Sequence, residues 1–200
     1  MVKNLSIGIL GIQGAISEHI ASMTNTLKEE NIDGKVFFVK SKKELETIDA
    51  LILPGGESTT ISKNLFKSDL YDSLIKRIKE NNLPIMGTCA GCALLAKEII
   101  DDTKDVKLLN AMDMQVERNA FGRQRESFEK NIKINGFSSQ YNAVFIRAPL
   151  IKKVWGKCKT LSEMDKKIVM AREDSFLALS FHPELTDDLR VHKYFLDMIV

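Results

Sequence analysis

The 200-residue sequence predicts an α/β protein: a central, mostly parallel sheet flanked by helices, with an antiparallel extension. Three observations predict it. Short apolar runs of strand length alternate with longer helix-forming stretches through the first half of the chain. The early strands run into glycine-bearing turns, as the strand-to-helix junctions of βαβ units do. Beyond those junctions the pattern changes to short runs that alternate apolar and polar residues, the pattern of half-solvated antiparallel strands.

The chain opens on Leu5-Ser6-Ile7-Gly8-Ile9-Leu10, a strand buried on both faces. Gly11-Ile12-Gln13-Gly14 turns into a helix over 15–31, apolar at Ile16, Ile20, Met23 and Leu27. Gly8, Gly11 and Gly14 invite a dinucleotide-binding reading, but their spacing is Gly-x-x-Gly-x-x-Gly. The next strand, Lys35-Val36-Phe37-Phe38-Val39, also ends in Lys40 where a ribose-binding carboxylate would stand, so a nucleotide-binding oxidoreductase fails.

A third strand, Ala50-Leu51-Ile52-Leu53, enters Pro54-Gly55-Gly56-Glu57-Ser58-Thr59-Thr60. No Gly-Lys-Ser/Thr follows, which excludes a P-loop. What remains is a glycine turn offering backbone N–H groups at the carboxyl end of a parallel strand, where ligands bind and an oxyanion hole can form. The plainer alternative is a turn in which Ser58 or Thr59 caps a helix. A helix over 69–82 follows.

It leads to Leu83-Pro84-Ile85-Met86, a buried strand that stops at Gly87-Thr88-Cys89-Ala90-Gly91 before an apolar, helix-forming stretch that reaches Lys97. Gly-x-Cys-x-Gly between strand and helix is the thiol counterpart of the nucleophile elbow, a tight turn that lifts one side chain out of the sheet. The helix N-terminus that follows favours a thiolate. Cys89 reads as a nucleophile, weighed against the inert buried cysteine common in protein cores. Cys92 and Cys158 have no such context and read as core or surface residues.

Residues 106–145 carry the alternating runs, including Met112-Asp113-Met114-Gln115-Val116-Glu117-Arg118 and Lys130-Asn131-Ile132-Lys133-Ile134. The polar stretch Arg118-Asn119-Ala120-Phe121-Gly122-Arg123-Gln124 reads as a functional loop. Val144-Phe145-Ile146-Arg147-Ala148-Pro149 is a strand ending on an arginine. Arg118 and Arg147 each read singly as solvated; together they are able to clamp a carboxylate bidentately.

The last strand, Ser175-Phe176-Leu177-Ala178-Leu179-Ser180-Phe181, delivers His182-Pro183-Glu184. In extended chain, residues two apart share a face, and Pro183 holds its neighbour extended. Glu184 is then placed to accept the His182 N–H and support the imidazolium, with His182 as the base for Cys89. His19, on a polar face of the first helix, and His192, in the last, show no comparable partner and read as structural or solvated.

A net charge of +2, with lysine pairs scattered along the chain, points to neither nucleic acid nor membrane. Three irregularly spaced cysteines make no disulfide framework, and Cys89-Ala90-Gly91-Cys92 lacks the second pair of a structural zinc site. With no signal peptide and no membrane-length apolar run, the expectation is one cytoplasmic domain over 1–200.

Gly87-Thr88-Cys89-Ala90-Gly91, Pro54-Gly55-Gly56-Glu57-Ser58 and His182-Pro183-Glu184 together resemble the class I, triad-type glutamine amidotransferases. A narrower resemblance rests on Gly11-Ile12-Gln13-Gly14-Ala15 with Glu18-His19, on Gly55-Gly56-Glu57-Ser58-Thr59-Thr60, on the 116–124 stretch and on Phe145-Ile146-Arg147-Ala148-Pro149. These are similar to the glutaminase subunits of pyridoxal 5'-phosphate synthase, in the family's order over nearly the whole chain. Cys92 departs from the pattern, since the family usually has an aliphatic residue there.

The resemblance implies a single-domain class I glutamine amidotransferase fold. It implies hydrolysis of L-glutamine to glutamate and ammonia through a γ-glutamyl thioester, with Cys89, His182 and Glu184 catalytic. Gly55, Gly56, Glu57, Arg118, Ile146 and Arg147 would line the glutamine site, and Gly56 and Ala90 would supply the oxyanion N–H groups. No metal or organic cofactor is implied. The implied partner is a (β/α)8 barrel synthase subunit in a large hetero-oligomer, docking at the 11–14 turn and first helix and completing the oxyanion hole. Imidazole glycerol phosphate synthase has a glutaminase subunit that shares the triad but not the 118–124 loop. It stays as the alternative, as does a non-enzymatic binding module, which the intact Cys89, His182 and Glu184 argue against.

Overall fold

In the computed structural model, residues 4–100, 106–118, 120 and 127–200 are described. In chain order they form β1 (Leu5–Leu10), α1 (Ile16–Glu29), β2 (Gly34–Val39), α2 (Lys42–Glu46), β3 (Ala50–Leu53), α3 (Ser58–Lys67), α4 (Leu70–Lys79), β4 (Ile85–Thr88) and α5 (Ala90–Leu95). Then follow β5 (Ala96–Ile99), β6 (Met112–Glu117), β7 (Ser127–Ile134), β8 (Tyr141–Ile146), β9 (Leu150–Val154), β10 (Lys159–Met164), β11 (Lys167–Glu173), β12 (Phe176–Leu179) and α6 (Arg190–Leu196).

One sheet runs β2-β1-β3-β4-β12-β11-β10-β7-β8. Its first five strands are mutually parallel, because α1 and the helices after β3 cross between them, and because β12 returns beside β4 in the same direction. From β12 onward the pairings are antiparallel. A branch leaves β11: β9 pairs antiparallel with it and with β6, and β6 runs parallel to β5.

Both faces of the parallel half are covered, and alternate residues of one strand feed different cores. On β3, Leu51 and Leu53 join Leu65, Leu74 and Leu95 on one side, while Ala50 and Ile52 join Met23, Val191 and Phe195 on the other. That is why these strands read as unbroken apolar runs. No helix among the described residues is long and apolar enough to cross a membrane.

Several elements differ from the sequence reading. The helix expected over 15–31 is Ile16–Glu29, and that over 69–82 is Leu70–Lys79. The apolar stretch after Cys89 does not stay helical to Lys97: α5 ends at Leu95 and the chain continues as β5, pairing with β6 over intrinsic helix propensity. Strands β9 to β11 escaped the reading because polar residues interrupt each of them: Lys152 and Lys153 in β9, Lys159, Ser162 and Glu163 in β10, Arg172 and Glu173 in β11. Helix α2 is not among the expected elements; it opens on a capping box in which Ser41 Oγ accepts from the Glu44 N–H and the Glu44 carboxylate reaches back to the Ser41 N–H. Of the 118–124 loop only Arg118 and Ala120 are described; Asn119 and residues 121–124 lie outside the described residues.

Candidate active site

Cys89 stands where β4 ends and α5 begins, with φ 48° and ψ −105°. A non-glycine residue at positive φ is costly, and tight packing must hold it there. Gly87 and Gly91 allow that packing. A Cβ on Gly87 would lie 2.6 Å from the Gly91 carbonyl, and one on Gly91 would lie 2.1 Å from the Leu53 oxygen. The Cys89 N–H is tied to the Leu179 carbonyl at 2.8 Å, so the turn is anchored to β12. The thiol faces the cavity side of the sheet, 3.7 Å from the Ile146 carbonyl.

His182 follows β12 and is fixed by its backbone N–H, which donates to the Val144 carbonyl at 2.8 Å. The segment after it is not extended as the sequence suggested: Pro183–Leu185 form a 3-10 turn with proline at its start. The turn nonetheless brings Glu184 Oε1 to 2.7 Å from His182 Nδ1, so the two side chains do share a face. Gly55 packs against His182 and Cys89. A Cβ there would fall 2.4 Å from His182 Cε1 and 3.2 Å from Cys89 Cβ, so only glycine lets the turn after β3 reach both groups.

The electrostatics follow from the packing. Burial disfavours charge on His182, yet the neighbouring Cys89 sulfur and the Glu184 carboxylate overcome this and raise its pKa to about 10, although His182 Nε2 makes no aligned hydrogen bond among the described residues. Burial likewise pushes the Glu184 carboxyl up, and the adjacent His19 and His182 hold it below its ordinary value instead. Cys89, His182 and Glu184 thus form one buried, charge-coupled row.

A cavity of about 600 Å³ opens in front of that row. Cys89, His182, Gly55, Gly56, Glu57, Ala90, Arg118, Ile146 and Arg147 all line it, whereas Glu184 stands behind His182. Ala90 is the first residue of α5, where a helix leaves its N–H without an intrahelical acceptor. Gly14, at φ +117°, presses against the Gly55 carbonyl, which also accepts from the Ala15 N–H at 3.3 Å. The first turn of the chain therefore abuts the glycine turn of the site.

Helix α3 is capped not by Ser58 or Thr59 but by Glu57. Its carboxylate accepts from the Thr59 and Thr60 N–H groups at 3.1 and 2.7 Å. The Thr59 and Thr60 hydroxyls, with those N–H groups, lower the Glu57 pKa to about 2. Arg118 Nη1 donates to Ser58 Oγ at 2.8 Å, which places the guanidinium at the start of α3 beside this fixed negative charge.

Of the two readings open for the remaining histidines, structural or solvated, both prove structural, and each has a partner that the sequence did not show. His19 is fully buried and not on a solvated face: its Nε2 lies 3.1 Å from Thr88 Oγ1 and 3.3 Å from Glu184 Oε2. His192 is equally buried, its Nε2 3.4 Å from His19 Nδ1. The missed signal is helical spacing, since His19 stands three after Ile16 and four before Met23, on the stripe facing the sheet. Cys92 and Cys158 are core residues, and burial raises both thiols.

The chain is similar to known proteins over nearly its whole length. Residues 9–200 match the model of the SNO glutamine amidotransferase family. The pyridoxal 5'-phosphate synthase subunit PdxT of Staphylothermus marinus is 46% identical over 98% of this chain and 99% of its own. The protein of the same name from Pyrococcus furiosus is 45% identical over 100% of both chains. A crystal structure of a glutamine amidotransferase superposes with a TM-score of 0.85 at 41% identity, covering 96% of this chain and 98% of that one. At 15% identity, a glutamine amidotransferase from Thermotoga maritima shares the fold with a TM-score of 0.61. The chain belongs to the SNO glutamine amidotransferase family.

Proposed function

We propose that this protein, one glutaminase domain over residues 1–200, hydrolyses L-glutamine and feeds the ammonia to the synthase subunit of pyridoxal 5'-phosphate synthase in the cytoplasm. The observation that carries this reading is Cys89 and His182 on the wall of one cavity with Glu184 held behind the His182 ring, in a chain whose full-length relatives are named as PdxT subunits. That name also favours this partner over imidazole glycerol phosphate synthase.

Cys89 Sγ attacks the side-chain amide carbon of glutamine while His182 takes the thiol proton. Glu184 holds the His182 Nδ1–H and compensates the imidazolium. The negative charge that grows on the amide oxygen is met by the Ala90 N–H and by the 55–56 turn, where one such donor contributes about 3–4 kcal/mol in other enzymes. His182 returns its proton to the leaving ammonia, and water then cleaves the γ-glutamyl thioester with His182 again as base. Arg118 and Arg147 are cationic partners for the substrate carboxylate, and Glu57, kept ionised by its cap bonds, suits the α-ammonium.

The partner is a (β/α)8 barrel in a large hetero-oligomer, docked against the 11–14 turn and α1. Gly14 touches the Gly55 carbonyl, so pressure on that turn reaches the oxyanion donors directly. The test is ammonia release from glutamine with and without the barrel subunit. The reading expects turnover to rise with the partner and to disappear in Cys89→Ala; no turnover with the partner present, or an unaffected variant, overturns it.

A further inference from the structure

Two imidazoles, His19 and His192, are fully buried behind the catalytic row, and the mechanism above leaves both unused. Glu184 Oε1 faces His182, while Oε2 is buried with no aligned hydrogen bond among the described residues. The polar atom that faces Oε2 is His19 Nε2 at 3.3 Å, which also lies 3.1 Å from Thr88 Oγ1. Behind His19, its Nδ1 meets His192 Nε2 at 3.4 Å, and His192 Nδ1 is a buried atom without a partner among the described residues.

Two independent arguments select the tautomers. If His19 carried its proton on Nδ1, the Nε2 lone pair would face a carboxylate oxygen at 3.3 Å in a buried setting, a repulsion that low dielectric makes severe. His192 would then have to accept at Nε2 and leave an N–H on Nδ1 with nothing to bond. Buried orphan donors are rarer than buried orphan acceptors. With both rings as Nε2–H tautomers, His192 donates to His19 Nδ1. His19 in turn donates between Thr88 Oγ1 and Glu184 Oε2, and the one atom left over is an acceptor.

We propose that His19, its tautomer set by His192, is a positioning residue for the glutaminase reaction: it fixes the far oxygen of Glu184 so that the near oxygen stays aimed at His182. The inference rests on the glutaminase reading for its kinetic consequence but not for its tautomers. Burial pushes His19 below its ordinary pKa and His192 down to about 3, which keeps both rings neutral donors. The charged and titratable groups around His19 are Glu184 and His182 after β12, His192 from α6 and Glu18 on its own helix. Elements α1, α6 and the end of β4, distant in sequence, meet at this point, and each contributes one member of the relay, His19, His192 and Thr88.

Histidine 15N NMR on the intact full chain, assigned with His192→Gln, tests the tautomers. The expected result is two neutral Nε2–H rings that do not titrate between about pH 5 and about pH 9, as suits deeply buried imidazoles; a His19 found as Nδ1–H or protonated overturns the proposal. Glutamine turnover with the synthase subunit tests the consequence. His19→Leu should lower kcat about tenfold with KM within about twofold, since the polar partners of its side chain, Thr88, Glu184 and His192, do not line the cavity. His19→Gln, whose amide N–H can reach Glu184, should return kcat to within about threefold of the parent. Parental kcat in His19→Leu, or equal losses in both variants, overturns the proposal; if His19→Leu fails to fold, the NMR result on the parent chain still decides. Absence of turnover in the parent would instead sink the glutaminase reading and leave the tautomer result standing on its own.

Discussion

His182 Nδ1 and Glu184 Oε1 are 2.7 Å apart although only Pro183 separates them in the chain. Such closeness requires the 3-10 turn that begins at Pro183, and it sets a carboxylate on the side of the ring opposite the thiol. Glu184→Gln keeps the shape and removes the charge. Turnover of glutamine by the complex should fall at least about 100-fold, because a neutral amide holds the ring but does not stabilise its imidazolium.

The same variant has a signature in stability against pH. His182 has a raised pKa, so its contribution is complete below its ordinary 6.5 and is lost as pH rises through about 10. Glu184 has a lowered pKa, so its contribution is present above its ordinary 4.5 and is lost as pH falls below that. Thermal melts should therefore show the parent ahead of Glu184→Gln between about pH 5 and about pH 9, with the curves closing at either extreme. A constant offset across the whole range would show that the pair is not charge-coupled.

Two glycines separate folding from catalysis. Gly91→Ala drives a Cβ to 2.1 Å from the Leu53 backbone oxygen, where nothing flexible can yield. A loss of about 2 kcal/mol or more, read by denaturant unfolding, is expected together with loss of activity. Gly55→Ala instead meets the His182 ring at 2.4 Å. The ring and the turn can shift, so the expected outcome is a folded protein whose turnover is reduced at least about tenfold. Equal melting but unchanged turnover in Gly55→Ala would mean that the ring position is not critical.

The sequence carried the parallel half of the fold and the main parts of the site because those features are local. A buried parallel strand is an apolar run, an elbow is two glycines around a thiol, and a histidine two before a glutamate lies within its reach, here through a 3-10 turn rather than the extended chain expected. Features that depend on distant partners were invisible. Strand β5 is a strand because β6 pairs with it, and β9 to β11, broken by polar residues, are strands because they pair with one another and with β6, β7 and β12. The family resemblance implies Glu57 as a ligand, and the structure shows it capping α3, a role visible only from its backbone contacts. His19 illustrates the limit most clearly: its helical stripe was readable, but Thr88, Glu184 and His192 come to it from three other elements.

The dual position of Glu57 predicts an acid-side effect. Its carboxylate is held by Thr59 and Thr60 and titrates at about 2 rather than its ordinary 4.5. A lowered pKa contributes stability above 4.5 that is lost as pH falls through about 2. Because Glu57 is exposed, the effect is small and screened, and it is best read as a difference. Melting temperatures of the parent and Glu57→Gln should differ most above pH 4.5 and converge toward pH 2. An unchanged gap down to pH 2 would assign the stabilisation to the cap geometry alone.

The three cysteines should respond very differently to a thiol reagent. Cys89 lines the cavity beside His182, which takes up its proton in the proposed reaction. Cys92 is 0% exposed inside the core of α5, and burial pushes its thiol far above the ordinary value. Cys158 is 5% exposed and burial raises its pKa to about 12. Only a thiolate reacts at a useful rate, and only where the reagent can reach it. Brief treatment of the native chain with iodoacetamide should therefore modify Cys89 alone, as read by peptide mass spectrometry, and should abolish glutamine turnover in step with labelling. Cys92 and Cys158 should be modified only after denaturation. Labelling of Cys92 at the rate of Cys89 would mean that α5 opens in solution, and that the turn holding Cys89 at positive φ is not the rigid element its packing against Leu53 and Leu179 implies.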